Sequence, residues 1–334
     1  MILNIINFAQ KKPLYFTLII FSILIIIEVI LLTTPIITNV KYPVIVDVSE
    51  KSNLNDLSNI LYKKKIIKSK INFKIASRLF GLETKIKPGR YHVTENHSYV
   101  GLVLLFLNTE PESPITFRIL KGSTLKKTIE NLSLSFGYNS SDISKLLNNK
   151  VLMQKFGFVS TNAEGYIIPK RYTFYKSDGL NFIIQTLLKN TKSFFYDTLK
   201  INNPEKIHEI LTLASIVEGE TNKIEEYPII AGVYLNRLKI GMPLQACPTV
   251  QYALGRDKWD KITYKNLSVE SPYNTYKYKG LPPGPIGNPS KEAIFAVVYP
   301  AYHNYLFFVA DGKGGHKFSE RYNQHLTYKS ELKQ

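Results

Sequence analysis

Cysteine is almost missing from this chain: Cys247 is the only one in 334 residues. That excludes an intrachain disulfide and any CxxC metal site, while a single thiol is compatible with a reducing or an oxidising compartment. Acids are scarce beside bases, with 26 Asp plus Glu against 43 Lys plus Arg and a formal net charge of +17. The imbalance admits nucleic acid, a phospholipid surface or an acidic polymer as partner and selects none of them. The six histidines form no HExxH, and GKGGH lacks the Lys-Ser/Thr pair of a phosphate-binding loop, so it reads as a hairpin turn. No basic–aromatic motif of the RRM or helix-turn-helix type is present, which argues against nucleic acid. Apolar material is not lacking. At 44% hydrophobic residues the chain has enough to fill a core, and a wholly disordered protein is excluded.

Long apolar runs are also missing, with one exception. Leu14 to Leu32 is interrupted only by Thr17, Ser22 and Glu28. At ~1.5 Å per residue, this run with Thr33 to Ile37 covers a ~30 Å hydrocarbon layer. No Ala-x-Ala site follows, so a membrane anchor is expected in place of a cleaved signal peptide. Lys11 and Lys12 precede the span and Lys41 follows it, which favours a cytoplasmic N-terminus. Glu28 is a costly residue in such a helix: a tolerated lone acid, a protonated one, or one paired with another protein.

Beyond the anchor the sequence changes to short alternating runs. YPVIVDVSE reads as a strand, LNDLSNILYKKKII and INFKIASRLFGLE as helices, and KIKPGRYHV as a Pro-Gly turn before a strand. SYVGLVLLFLN is a third helix, and ITFRILKGSTLKKTIENLSLSFG repeats strand, turn, Ser/Thr cap and helix. The lysines here read as a solvated face. A second region contains long helical patterns, DGLNFIIQTLLKNTKSFFYDTL and NPEKIHEILTLASIVEGET, the latter with Asn203 as cap and Pro204 in the first turn. EEYPIIAGVYLNRLKIG is a further helix, MPLQACPTVQYALG reads as irregular, and SPYNTYKYKGLPPGPIGNPS is a long Pro/Gly-rich loop. A helix from Ser290 and a hairpin in YLFFVADGKGGHKFS close the pattern. The expected class is α+β, and loops of such length in a compact domain are usually functional.

Ile207, Leu211, Ala214 and Glu218 follow at spacings of four, three and four, so Glu218 continues an apolar helical stripe. A carboxyl so placed is expected to be half hidden from solvent, beside a sugar-sized trench, with its proton held more tightly than usual, as a general acid requires. Glu220 lies about 200° round the helix and cannot pair with it across a substrate. Ordinary glycoside hydrolysis needs two carboxyls ~5–9.5 Å apart. Asp257, Asp260, Glu270, Glu292 and Asp311 are available as second acids, but none is marked by context.

LASIVEGET, YLNRL, GMPLQ, PTVQYALG, SPYNTYKYKGLPPGPIGNPS and FFVADGKGGHKFS resemble, in order and spacing, the YceG-like (MltG-type) endolytic murein transglycosylases. The likeness extends to the anchor, the PGRY turn and EGYIIP. It implies a cytoplasmic tail over 1–12, a transmembrane anchor over 13–37, a LysM-like α+β module over 43–157 and a catalytic α+β domain over 158–334. It implies a single-pass protein of the cell inner membrane, N-terminus cytoplasmic and catalytic domain periplasmic. Its implied activity is cleavage of the MurNAc–GlcNAc β-1,4 bond in nascent glycan strands, leaving 1,6-anhydro ends and terminating elongation. The family's catalytic glutamate falls on Glu218, and no cofactor or metal is implied. Implied partners are peptidoglycan strands, the bilayer and cell-wall synthases, with no nucleic acid.

Asn236, Arg237, Gln245, Thr249, Tyr273, Asn274 and Thr275 map to cleft blocks and offer donors and acceptors for acetamido and hydroxyl groups. Each has an alternative: Arg237 can pair a structural acid, and Asn274 can hold a turn. Gly280 to Gly284 are expected to shape the cleft wall. Three departures stand out: Cys247 and Lys170 where the family usually carries Asp, and Lys121 where an acid commonly precedes the glycine. None is expected to touch Glu218. A glycan-binding or scaffold protein of the synthesis machinery that has lost catalysis is the rival reading.

Overall fold

The computed structural model describes residues 12–255 and 262–331. The tail expected over 1–12, apart from Lys12, and the candidate acids Asp257 and Asp260 lie outside them. The chain forms two compact units, dividing between Pro114 and Ile115.

The first unit begins with α1 (Pro13–Thr33), 21 residues long and apolar enough to cross a membrane. Pro13 stands at its first position, where a missing N–H costs nothing. Glu28 keeps one carboxylate oxygen without a partner. Strand β1 (Val44–Val48) pairs antiparallel with β2 (Gly89–Val93), and between them come α2 (Leu54–Lys63) and α3 (Lys70–Leu79). Asn53 caps α2 by accepting from Asn55 and Asp56 backbone N–H, and Asp56 reciprocates at the Asn53 backbone. Helix α4 (Tyr99–Asn108) completes the unit. Inward residues at period two on the strands and near 3.6 on the helices meet in one core around Val46, Leu57, Phe73, Tyr91 and Phe106.

The second unit opens with β3 (Ile115–Arg118), α5 (Leu125–Phe136), α6 (Ser140–Leu147), α7 (Lys150–Lys155) and β4 (Arg171–Phe174). Strands β3 and β4 pair antiparallel, Phe117 opposite Tyr172. That pairing is why a division expected between 157 and 158 falls instead before 115: β3 and its helices share the core of the later residues. Helix α8 (Leu180–Ser193) ends earlier than its apolar pattern and runs on as a π-helical turn over Phe194–Thr198. Then come α9 (Pro204–Glu220), α10 (Tyr227–Lys239), α11 (Cys247–Ala253), α12 (Lys291–Val298) and the hairpin β5 (Phe307–Ala310)–β6 (His316–Ser319). A helix α13 (Tyr322–Glu331), which the sequence pattern does not announce, follows. Helix α11 replaces the irregular stretch expected over MPLQACPTVQYALG, because Pro248 in its first turn favours the helical angle.

Candidate active site

Helix α9 is the axis of the second unit. Asn203 caps it, accepting from Lys206 N–H, and from Ile210 to Glu218 every residue is buried. Burial goes beyond one stripe because α10, α11 and α12 all pack against α9. The Pro/Gly-rich loop is hung along one face of this helix by three bonds in the same order along both segments. His208 Nε2 meets the Pro283 carbonyl at 2.9 Å, Ser215 Oγ accepts from Ile286 N–H at 3.0 Å, and Glu218 Oε2 accepts from Ser290 N–H at 2.9 Å. Tyr166 OH lies 2.7 Å from His208 Nδ1. With Nε2 donating to a carbonyl, Nδ1 must accept from the tyrosine.

Glu218 is 0% exposed. The expectation of a half-hidden side chain is therefore corrected: packing by three helices closes it off. Its Oε2 also accepts from Ser290 Oγ, and its Oε1 accepts from Tyr227 OH at 2.6 Å. Lys121 Nζ stands 3.6 Å from the same Oε1 and donates to Tyr227 OH at 3.4 Å. Burial first, then the bond to Glu218, pushes the Tyr227 phenol above its usual range. Lys121 thus touches the acid it was expected to avoid. The cause is the turn before α5: Gly122 N–H donates to Asn288 O and Asn288 N–H donates to Ser123 O, which ties the Lys121 turn to the segment carrying Ser290. Gly287 permits this approach, since a Cβ there would lie 2.7 Å from Gly122 O. The Lys121 side chain is 43% exposed, while the carboxylate it stands beside is fully covered.

Gly219 allows a second close approach: a Cβ there would sit 2.5 Å from Pro248 Cβ. Beside it lies a cavity of about 40 Å³ bordered by Gly122, Ser215, Gly219, Gln251 and Tyr252. That volume suits water and is smaller than the sugar-sized trench expected beside Glu218.

Glu220 points elsewhere, accepting from Tyr234 OH at 2.5 Å, as its helical phase requires. Among the proposed second acids, Glu270 is exposed and pairs with Lys277, Asp311 accepts from Lys313 and Gly315 N–H in the hairpin turn, and Glu292 stands in the first turn of α12, its charge felt at Tyr227.

The other site residues of the sequence form two groups, both bonded mainly to their own backbone. Gln245 is exposed with φ +51° and its N–H donates to Thr275 O. Thr275 Oγ1 accepts from Ala246 N–H and lies 2.9 Å from Thr249 Oγ1. Asn274 donates to the Leu267 and Val269 carbonyls and accepts from Tyr276 N–H, organising the loop. Tyr273 packs on Tyr252 with ring centroids 4.8 Å apart. Asn236 donates to His303 O and Tyr305 O, and Arg237 to Leu306 O and Leu244 O, which secures the chain before β5. Cys247 Sγ lies 3.1 Å from Tyr276 OH, and Lys170 donates to Asn190, so both are engaged away from Glu218.

Sequence reasoning missed Ser290 as more than a helix cap, Tyr227, Lys121 as a neighbour, and Glu164. Glu164, in EGYIIP, accepts from Leu125 N–H at the start of α5 and from Tyr252 OH. Burial pushes its carboxyl up to about 7.

A mixed α+β protein with a fully buried acid clipped between helix and Pro/Gly loop defines the class. The sequence profile of the YceG-like family matches residues 46–331, and the chain belongs to that family. It is 29% identical to an endolytic murein transglycosylase of Bacillus subtilis, over 88% of this chain and 86% of that protein. An endolytic murein transglycosylase of Streptococcus pneumoniae is also 29% identical, over 83% of this chain and 56% of its own length. The crystal structure of a putative YceG-like protein from Listeria monocytogenes superposes with a TM-score of 0.58 at 30% identity, covering 85% of this chain and 98% of that one.

Proposed function

We propose that this protein is a membrane-anchored endolytic lytic transglycosylase that cuts MurNAc–GlcNAc β-1,4 bonds within nascent peptidoglycan strands. The observation that carries the reading is a fully buried carboxyl on the central helix, held by Tyr227 and Ser290, in a chain of the YceG-like family. The acid donates its proton to the glycosidic oxygen as the C1–O bond breaks. The resulting carboxylate then takes the proton of the muramic C6 hydroxyl as O6 bonds to C1. No water is added, so one carboxyl serves twice and a partner acid is not needed.

Oε1 is the oxygen assigned to proton transfer, because Ser290 holds Oε2 through both its N–H and its Oγ, while the neighbour of Oε1 is the partly exposed Lys121. Substrate entry requires the Lys121 side chain to swing aside. Glu218 is the catalytic residue in this reading, with Gln245 and Tyr273 on the strand-facing loop and Asn236, Arg237, Thr249, Asn274 and Thr275 supporting it from behind. Helix α1 serves as the single-pass anchor in the cytoplasmic membrane, with residues 1–12 on the cytoplasmic side and the chain after the anchor outside the cytoplasm. The first unit, with its β1–α2–α3–β2 order, serves as a LysM-like module, and the catalytic domain is the unit from Ile115 onward.

A glycan-binding scaffold without catalysis is the second reading, favoured by the small cavity beside Glu218 and the Lys121 contact. Digestion of purified glycan strands by the full chain in heavy-oxygen water separates the two. Lytic cleavage gives 1,6-anhydro ends without label; labelled reducing ends mean hydrolysis, and intact strands mean a scaffold.

A further inference from the structure

The first unit presents two features that neither its core nor the catalysis uses, and both lie next to the end of α1. The first is an open cavity of about 680 Å³ walled by Ile37, Tyr62 and Ile67 and rimmed by Lys63, Lys65 and Lys68. It begins four residues past Thr33, so even a fully extended chain places Ile37 within roughly 14 Å of the helix end. The three rim ammoniums have no acidic partner among the described residues. Lys65 adopts φ +59°, the left-handed geometry at a helix end for which glycine or asparagine is the relaxed choice. A lysine held there directs a charge into the rim at the expense of local relaxation.

The second feature is the outer face of α3. Phe73, Ala76 and Ser77 point into the core, while Ile71, Ile75 and Leu79, four residues apart, form a stripe on the opposite face. Ile71 is 70% and Leu79 71% exposed. Lys70, Lys74 and Arg78 flank that stripe at the same spacing. An exposed apolar stripe bordered by bases is the pattern of a helix lying in a membrane interface. Helix α3 also contacts α1.

We propose that the membrane-proximal unit docks on the bilayer that α1 crosses. The lysine rim binds anionic phospholipid headgroups, and the Ile71–Ile75–Leu79 stripe enters the headgroup–acyl boundary. The proposal rests on the reading of α1 as an anchor. A cation rim beside an apolar wall matches a lipid's phosphate and glycerol–acyl parts together, which free phosphate or a soluble acidic protein does not. Docking fixes the unit against the membrane, so the anchored chain is held at a set height above the lipid.

The test uses the full chain with Cys247→Ser, an environment-sensitive fluorophore at Leu79→Cys, and in a second preparation at Leu24→Cys. Each is reconstituted into vesicles of phosphatidylcholine alone or of phosphatidylcholine with phosphatidylglycerol, with quenchers on the headgroup or deep in the acyl chains. The expected result is deep quenching at Leu24 in both lipids. At Leu79, headgroup-level quenching should appear with phosphatidylglycerol and fall several-fold in high salt or with Lys63, Lys65 and Lys68 all changed to Gln. A Leu79 probe that stays in water while Leu24 is quenched overturns docking alone. Equal quenching in both lipids, or none lost in the triple variant, overturns the headgroup site. A blue shift at Leu79 without lipid quenching means a protein partner or second copy and also overturns it. An unquenched Leu24 probe overturns the anchor and the docking together.

Discussion

Ser290 serves two elements with one residue. Its Oγ accepts from Ala293 N–H as the cap of α12 and donates to Glu218, which its own N–H also meets. Ser290→Ala should therefore lower stability by about 1–2 kcal/mol through the lost cap and the thinned support of a buried carboxyl, read as a lower midpoint in thermal unfolding. Strand cleavage should slow with it. Glu220→Gln should be far milder than any change at Glu218, because an amide oxygen can still accept from Tyr234 OH; comparison of strand-cleavage rates checks this. Glu164 makes a pH prediction. Its folded carboxyl titrates near about 7 against 4.5 for the free group, so the folded state binds the extra proton between those values. Stability is fully present below about pH 4.5 and is lost as pH rises through about 7, by a total on the order of 3 kcal/mol. Glu164→Gln should flatten that slope in midpoints measured from acid to neutral pH. The burial of Glu218 could be read from the sequence because its spacing continues an apolar stripe. Its donors could not, because Ser290 is 72 residues away and spacing along one helix carries no information about what folds against it.

At the scale of elements, the legible parts were those whose pattern is local. The Ser/Thr cap, Thr124, and Asn203 each precede an apolar run, and each caps the helix that follows. The terminal hairpin follows from its glycine-rich turn. Helix α11 and the π-helical turn after α8 were not legible, because a seven-residue helix shows under two turns of periodicity and a π turn depends on tertiary packing. The loop Ser271 to Ser290 looked functional from its length, and in the structure its part from Pro283 to Ser290 runs along α9 and delivers Ser290 to Glu218. The register of that contact depends on small residues. Gly219→Ala would place a methyl 2.5 Å from Pro248 Cβ, forcing α11 away from α9. The expected cost is about 1–3 kcal/mol by overpacking, measured by denaturant unfolding, with cleavage reduced more than stability alone explains.

For the whole molecule, the division into units was only partly visible, because sequence blocks mark segments and not the strand pairing that joins them. Strand β3 lies before the expected boundary yet pairs with β4 beyond it, and Phe117 stacks on Tyr172. A fragment of residues 115–334 should unfold cooperatively on heating, while one of residues 158–334 should not, since it loses the partner of β4 and the helices covering it; calorimetry of both decides this. The same reasoning assigns Lys121, from the early part of the unit, to the active site, so only the longer fragment carries a complete one. The account as a whole stands on Glu218 as the one proton-transferring group. Purified glycan strands treated with the wild-type chain and with Glu218→Gln, at matched circular dichroism, give the most direct measurement: release of internally cut, 1,6-anhydro-ended fragments by mass spectrometry. The account predicts such fragments from the wild type and a loss of at least ~100-fold in the variant. Undiminished fragment release by Glu218→Gln would contradict it.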